Sequence, residues 1–185
     1  MGQLKRLSAF IFALAAGLAF SSVATAQAMS KDQYESGKKS IAADYKAANE
    51  ACASRSGNAR DICKAEASGR EKVARAQLEA QFKPSEQATY DVRAAMAQAN
   101  YSVARQICDD KAGNVKDVCL KEAKAAEVTA MSDAKASMKT TEARNDASSA
   151  RRDAEYAVAK EKCATFAGDA KTNCLNDAKA RFGKS

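Results

Sequence analysis

After the first 28 residues, the apolar positions recur at alternating steps of three and four, which is the spacing of one face of an α-helix. Ahead of Cys108 the stripe is unbroken: Tyr90, Ala94, Ala97, Tyr101 and Ala104. A similar stripe, with Lys38 as its one polar member, leads to Cys52: Tyr34, Ile41, Tyr45 and Ala48. The equivalent places before Cys163 are polar: Asn145, Ser149 and Arg152. We therefore expect three related first helices, the third being the most loosely packed.

The cysteines show that these stripes belong to an internal repeat. The members of each cysteine pair are separated by ten residues, and the pairs recur after 56 and then 55 residues. A tyrosine stands seven residues before each first cysteine and a glycine five residues after it: Tyr45 and Gly57, Tyr101 and Gly113, Tyr156 and Gly168. The chain therefore contains three copies of one unit.

Each unit predicts two helices joined by a tight turn. Gly57, Gly113 and Gly168 are expected to end the first helix in the left-handed conformation. The next residue, Asn58, Asn114 or Asp169, is expected to cap the second helix through its side-chain oxygen. Asp61 and Asp117 lie three residues after their caps, as in a variant of the capping box.

The two cysteines of a unit lie five residues before the glycine and six after it. At about 1.5 Å of rise per residue, both are roughly 8 Å from the turn, on opposite helices. Six cysteines allow 15 pairings, but this geometry predicts a disulfide across each hairpin. The predicted bonds are Cys52–Cys63, Cys108–Cys119 and Cys163–Cys174.

The expected fold is all-α, with antiparallel, alanine-rich, disulfide-stapled hairpins and about six helices. Most are expected to have some 25 residues, and the last to be shorter. Pro84 predicts a break after the second helix. The equivalent Lys139-Thr140-Thr141-Glu142 lacks proline, so the helix can run on there with only a weak break. A compact bundle and an extended array both fit, and the scarcity of large apolar residues favours the array.

The N-terminus has the pattern of a secretory signal peptide: Lys5 and Arg6, an apolar run, then small residues. Cleavage is expected between Ala26 and Gln27, with the position after Ala28 as second choice. The expected organisation is a signal peptide (1–26) and hairpin repeats at 27–84, 85–140 and 141–185, the last degenerate and shorter. After signal removal the chain is not expected to span a membrane.

Charge and composition exclude several classes of function. Removing Lys5 and Arg6 leaves 28 basic and 23 acidic residues, a net charge of +5. The two signs alternate along the chain, so nucleic acid is not an expected partner. Histidine is absent from all 185 residues, which excludes Ser/His/Asp and Cys/His catalysis. We expect no catalytic residue, no cofactor and no metal, because structural zinc prefers cysteines two to four residues apart.

A basic residue recurs in the first turn after each predicted hairpin turn: Arg60, Lys116 and Lys171. A cation there opposes the helix dipole, so its recurrence has two interpretations. These residues are candidate contacts to a partner, or they are inherited from a duplicated ancestor.

The chain resembles a group of small exported proteobacterial proteins that are loosely catalogued as cell-envelope biogenesis proteins of the TolA type. The likeness rests on the start at Met29-Ser30-Lys31-Asp32, the three Cys-x10-Cys hairpins, Lys83-Pro84-Ser85-Glu86 and the ending from Ala178 to Ser185. It implies a periplasmic, envelope-associated role and brings no catalytic residues. Our first hypothesis is a non-enzymatic protein that binds or supports an envelope component: anionic lipid, cell wall or an envelope protein. A holdase chaperone is the alternative, and a thiol-redox or metal-handling protein a minor one. Self-association is left open.

Overall fold

The computed structural model describes residues 29–184, and over this range the protein is all-α, as predicted. Five α-helices follow one another: α1 (Lys31–Ala51), α2 (Gly57–Phe82), α3 (Glu86–Cys108), α4 (Gly113–Cys163) and α5 (Gly168–Phe182). One turn of 3-10 helix, Cys52–Ser54, extends α1. The predicted cleavage position at Ala26 and Gln27 lies outside the described residues.

Helix α1 begins with a reciprocal capping box. The Ser30 hydroxyl accepts a hydrogen bond from the Gln33 amide at 3.2 Å, and the Gln33 side chain accepts one from the Ser30 amide at 2.8 Å. One turn later the Tyr34 hydroxyl donates to the Glu79 carboxylate on α2 at 2.6 Å. The Tyr34 ring stacks on Phe82 with centroids 4.3 Å apart. These contacts close the end of the first hairpin that is far from its turn.

Proline separates α2 from α3, as predicted. Helix α2 ends at Phe82, before Pro84, and the Ser85 hydroxyl caps α3 by accepting from the Ala88 amide at 2.9 Å. Helix α3 then runs antiparallel to α2, and the two helices pack closely. A Cβ placed on Gly69 would lie only 2.9 Å from the Cβ of Ala99.

The described residues form five α-helices where about six were expected, because the residues around Thr140 continue the helix. Helix α4 has 51 residues and is about 76 Å long at 1.5 Å per residue. Thr140 and Thr141 donate their hydroxyls to the carbonyls of Ala136 and Ser137, four residues back, at 2.8 and 3.1 Å. Without proline every residue here keeps its backbone donor, so α4 also runs through the repeat boundary expected after residue 140.

Within the described range, each helix packs only against its neighbours in sequence. The protein is therefore an extended array and not a closed bundle. The buried apolar side chains are mostly alanine and cysteine, with Leu78 as the largest. Asn145, Ser149 and Arg152 are exposed on α4, which agrees with the expectation that the third unit packs loosely. In residues 29–184 no helix combines the length and the apolar character that a membrane span requires.

Candidate functional site

All three predicted disulfides are present, each across its own hairpin: Cys52–Cys63, Cys108–Cys119 and Cys163–Cys174. Their Cα atoms are 5.6, 5.6 and 5.7 Å apart, within the usual range for this bond. The first cysteine of each pair is almost completely buried. Three such bonds are typical of proteins from an oxidising, extracytoplasmic environment.

We call the connection and the first turn of the following helix a tip: tip 1 is residues 52–60, tip 2 residues 108–116 and tip 3 residues 163–171. The glycine of each tip has a positive φ, between 53° and 55°, as predicted. It stands at the start of the second helix, however, and not at the end of the first. The turns are accordingly longer than the predicted Gly-Asx turn.

The predicted capping by Asn58, Asn114 and Asp169 is wrong. The N-caps of the second helices are Ser56, Ala112 and Ala167, and none of them makes a side-chain capping hydrogen bond. Because the glycine already occupies the first helical position, the Asx residue lies one place inside the helix. The capping box proposed for Asp61 and Asp117 therefore does not form either.

The side chain of Asn58 instead joins tip 1 to the last turn of α3, next to tip 2. Its amide nitrogen donates to the backbone carbonyl of Gln106, near the end of α3, at 2.7 Å. The same carbonyl also accepts from the backbone amide of Asp109 at 3.1 Å, so it has two donors at the end of α3. The contact could not be read from the sequence, because it joins residues 48 positions apart.

The three recurring cations have different surroundings. Lys116 forms an ion pair with Asp109 across tip 2 at 2.8 Å. This hydrogen bond and the charge of Lys116 lower the pKa of the Asp109 carboxyl below its ordinary value, against a smaller opposing effect of burial. Arg60 and Lys171 are exposed, and neither has a carboxylate within 4.0 Å among residues 29–184.

The tips lie at two ends of the molecule. Helices α1 to α3 alternate in direction, so tips 1 and 2 are neighbours. Helix α4 runs back along α3 until Thr141 lies beside Glu86, and then continues for 22 residues, about 33 Å. Tip 3 is at that far end, with α5 folded back on α4 through Tyr156 and Phe182. Arg60 and Lys116 therefore belong to one surface, and Lys171 to another.

An apolar groove between α2 and α3 was not predicted from the sequence. It has a volume of about 730 Å³. Val73 and Ala99 lie in its floor, and Met96 and Ile107 on its rim remain 47% and 46% exposed. The signal for it was a second apolar stripe on α3, opposite the tyrosine stripe: Ala88, Val92, Ala95, Ala99 and Val103.

The described residues contain no group of three or more His, Cys, Asp or Glu side chains that could hold a metal ion. The chemistry that this part of the molecule offers is that of surfaces: the charged end formed by tips 1 and 2, and the apolar groove beside it. No protein-family model, curated protein or solved structure matches the chain.

Proposed function

We propose that this is an exported, periplasmic, non-enzymatic helical repeat protein that binds or supports a component of the cell envelope. The signal-peptide pattern before Ala26 and the three disulfides support export. The contact is made by the surface that tips 1 and 2 form together.

The observation that carries this proposal is the hydrogen bond between Asn58 and the Gln106 carbonyl. It joins tip 1 to the end of α3, two residues before tip 2, and each tip is closed by a disulfide. The surface that the two tips share is therefore held in one arrangement before a partner binds. Preorganisation of this kind lowers the entropic cost of binding. Arg60 is exposed on this surface, and its planar guanidinium suits the phosphates and carboxylates of envelope lipids, cell wall and acidic proteins.

Photo-crosslinking in living cells tests the proposal. The probe replaces Ala59 in tip 1 or Val115 in tip 2, each two residues after its glycine and each exposed. Ala170 is the matched control, since it occupies the same place in tip 3 and is also exposed. We expect one dominant envelope adduct from positions 59 and 115 and none from position 170. Equal adducts from all three positions, or adducts only to the same chain, would contradict the proposal.

A second measurement separates charge from shape. We expect the purified protein to cosediment with anionic vesicles or cell wall at low salt, and this binding to weaken as salt rises. Arg60→Gln is expected to reduce the binding, and Lys171→Gln at the opposite end to leave it unchanged. If the two variants behave alike, tips 1 and 2 are not the contact surface.

The α2–α3 groove favours the second candidate function, a periplasmic holdase that binds apolar segments of unfolded polypeptides. Met96 and Ile107 offer half-exposed apolar surface beside Val73 and Val103, and flexible methionine suits surfaces that accept many sequences. If this function is correct, the purified protein suppresses the aggregation of a denatured client, and Met96→Glu with Ile107→Glu abolishes the effect. If the double variant suppresses client aggregation as strongly as the original chain, the groove is not the site that binds the client.

A further inference from the structure

Along α4 one face lies opposite the side that packs on α3, and only its last residue, Val158, also borders the cleft between α4 and α5. Its residues follow the helical spacing and are all exposed: Val118, Ala125, Thr129, Ser132, Ala136, Ala143, Ala147, Ala150, Ala154 and Val158. Val118 and Val158 are 46% and 56% exposed. Glu122 and Lys139 occupy the two gaps in this spacing and are the charged residues that interrupt the face. The repeat shows which surfaces the rest of the face corresponds to.

The first half of this face is the counterpart of the α2 surface that packs on α3. The 56-residue offset between Cys63 and Cys119 relates five positions of α2 to five of α4. On α2 these positions are buried or half-buried: Ile62, Gly69, Val73, Ala76 and Ala80. On α4 they are exposed: Val118, Ala125, Thr129, Ser132 and Ala136.

The second half is the counterpart of the α3 surface that packs on α2. The 55-residue offset between Cys108 and Cys163 relates the two sets. On α3 the positions are buried or half-buried: Ala88, Val92, Ala95, Ala99 and Val103. On α4 they are exposed: Ala143, Ala147, Ala150, Ala154 and Val158. Counterparts of both sides of the junction between repeats 1 and 2 thus lie on one continuous helix.

In the first junction the chain turns at Pro84, and the two surfaces meet. In α4 the chain does not turn, so the two surfaces point the same way and cannot reach each other. The face is complementary to itself in the antiparallel direction. We propose that two copies of the chain associate through α4, each donating its third repeat to the array of the other, as in domain swapping.

The internal junction also sets the register. Gly69 faces Ala99, so their counterparts Ala125 and Ala154 face each other across the two copies. The two-fold axis then passes near residues 139–140, and Ser132 of one copy faces Ala147 of the other. Ala125 carries a methyl group that Gly69 lacks, so the two α4 axes lie somewhat farther apart than those of α2 and α3.

Charges beside the stripe support this register. Within the described structure, Asp133, Lys135, Arg144 and Asp146 are exposed and form no ion pair. In the antiparallel pair Asp133 lies beside Arg144 of the second copy, and Lys135 beside Asp146. The two-fold axis repeats both pairings, which gives four pairs of opposite charge along the edges.

The area is sufficient for a specific but modest interface. From Val118 to Val158 the face is about 60 Å long at 1.5 Å per residue, and a helix is about 10 Å wide. Two such strips bury at most about 1,200 Å² in total, the lower end of the range for stable protein interfaces.

Sedimentation equilibrium of the disulfide-bonded chain without its signal tests the proposal. We expect a dimer at micromolar concentrations. Ala147→Glu is expected to raise the dissociation constant at least about tenfold, because it places unpaired carboxylates in the interface. Ser149→Glu, exposed on another side of the same helix, is the matched control and leaves the dimer intact. Circular dichroism establishes that each variant remains helical.

A compensating variant tests the register itself. Ser132→Lys combined with Ala147→Glu is expected to restore the dimer, since each new lysine faces a new glutamate of the second copy. Within one chain these positions are about 22 Å apart along the helix and cannot pair. A monomer at tens of micromolar, a dimer insensitive to Ala147→Glu, or a double variant no better than Ala147→Glu alone would each overturn the proposal.

Discussion

Gly69 and Ala99 are in contact across α2 and α3, so closely that a Cβ on Gly69 would lie 2.9 Å from the Cβ of Ala99. Gly69 is buried in the middle of a helix, where glycine costs about 1 kcal/mol relative to alanine. The close approach of the two helices offsets this cost, because small residues let the alanine-lined faces touch along their length.

Gly69→Val is therefore expected to destabilise the protein by about 1–3 kcal/mol, since the added side chain forces α2 and α3 apart. Urea unfolding followed by circular dichroism measures this change. Lys72→Val is the control, because Lys72 is exposed on the same helix and the substitution introduces the same β-branched residue. Equal stability of the two variants would mean that the close approach is unimportant.

The third hairpin depends most on its disulfide. Within the described range, Ala178 is the one buried apolar residue of α5, and it packs near Cys163 at the end of α4. Replacing both Cys163 and Cys174 by serine is expected to remove about 3 kcal/mol from this hairpin and to release α5 from α4. Hydrogen exchange should then show loss of protection in α5 alone. The same change at Cys52 and Cys63 should leave a protected α2, because α2 also packs on α3.

Helix α4 is continuous because residues 139–141 lack the proline of the first junction. Thr140→Pro with Thr141→Ser copies the sequence around Pro84 and Ser85, and a proline inside a helix costs about 3 kcal/mol or more. We expect α4 to divide into two helices and the third hairpin to change its direction. Small-angle scattering should show a shorter maximum dimension, and Thr140→Ala should leave it unchanged. An unaltered scattering curve for the proline variant would contradict this prediction.

The Asp109–Lys116 pair makes tip 2 sensitive to acid. The pKa of Asp109 is lowered in the folded protein, chiefly by the hydrogen bond from Lys116. The stabilisation that this pair provides is therefore present above the ordinary carboxyl pKa, and it is lost as the pH falls through the lowered value. In Lys116→Gln, an NMR titration should show the pKa of Asp109 moving up towards its ordinary value. Lys171→Gln should leave it unchanged.

Local features of the fold could be predicted because each rests on neighbouring residues. Pro84 ends a helix whatever surrounds it, and cysteines five residues before and six after a glycine lie level on two antiparallel helices. The turn chemistry was predicted less well. Asn58 was expected to cap its own helix, but its amide reaches the carbonyl of Gln106. The sequence does not reveal such a contact until the positions of α2 and α3 are known.

The structure has five helices in the described residues where about six were expected, for a related reason. A weak break was expected near Thr140, yet the hydroxyls of Thr140 and Thr141 bond back to the preceding turn and the helix continues. The groove between α2 and α3 was not predicted, because α3 has two apolar stripes that pack against two different helices. One stripe faces α4, and the other faces α2.

By itself the sequence determined the helical class, the three repeats, the pairing of six cysteines and the break at Pro84. Each of these follows from periodicity or from the geometry of a few adjacent residues. Only the tertiary structure decided that the hairpins form an open array, that tips 1 and 2 share one end while tip 3 lies at the other, and that one face of α4 has no partner. These features depend on the length and direction of α4, which has 51 residues. That length results from the absence of a turn near Thr140 and not from any local motif.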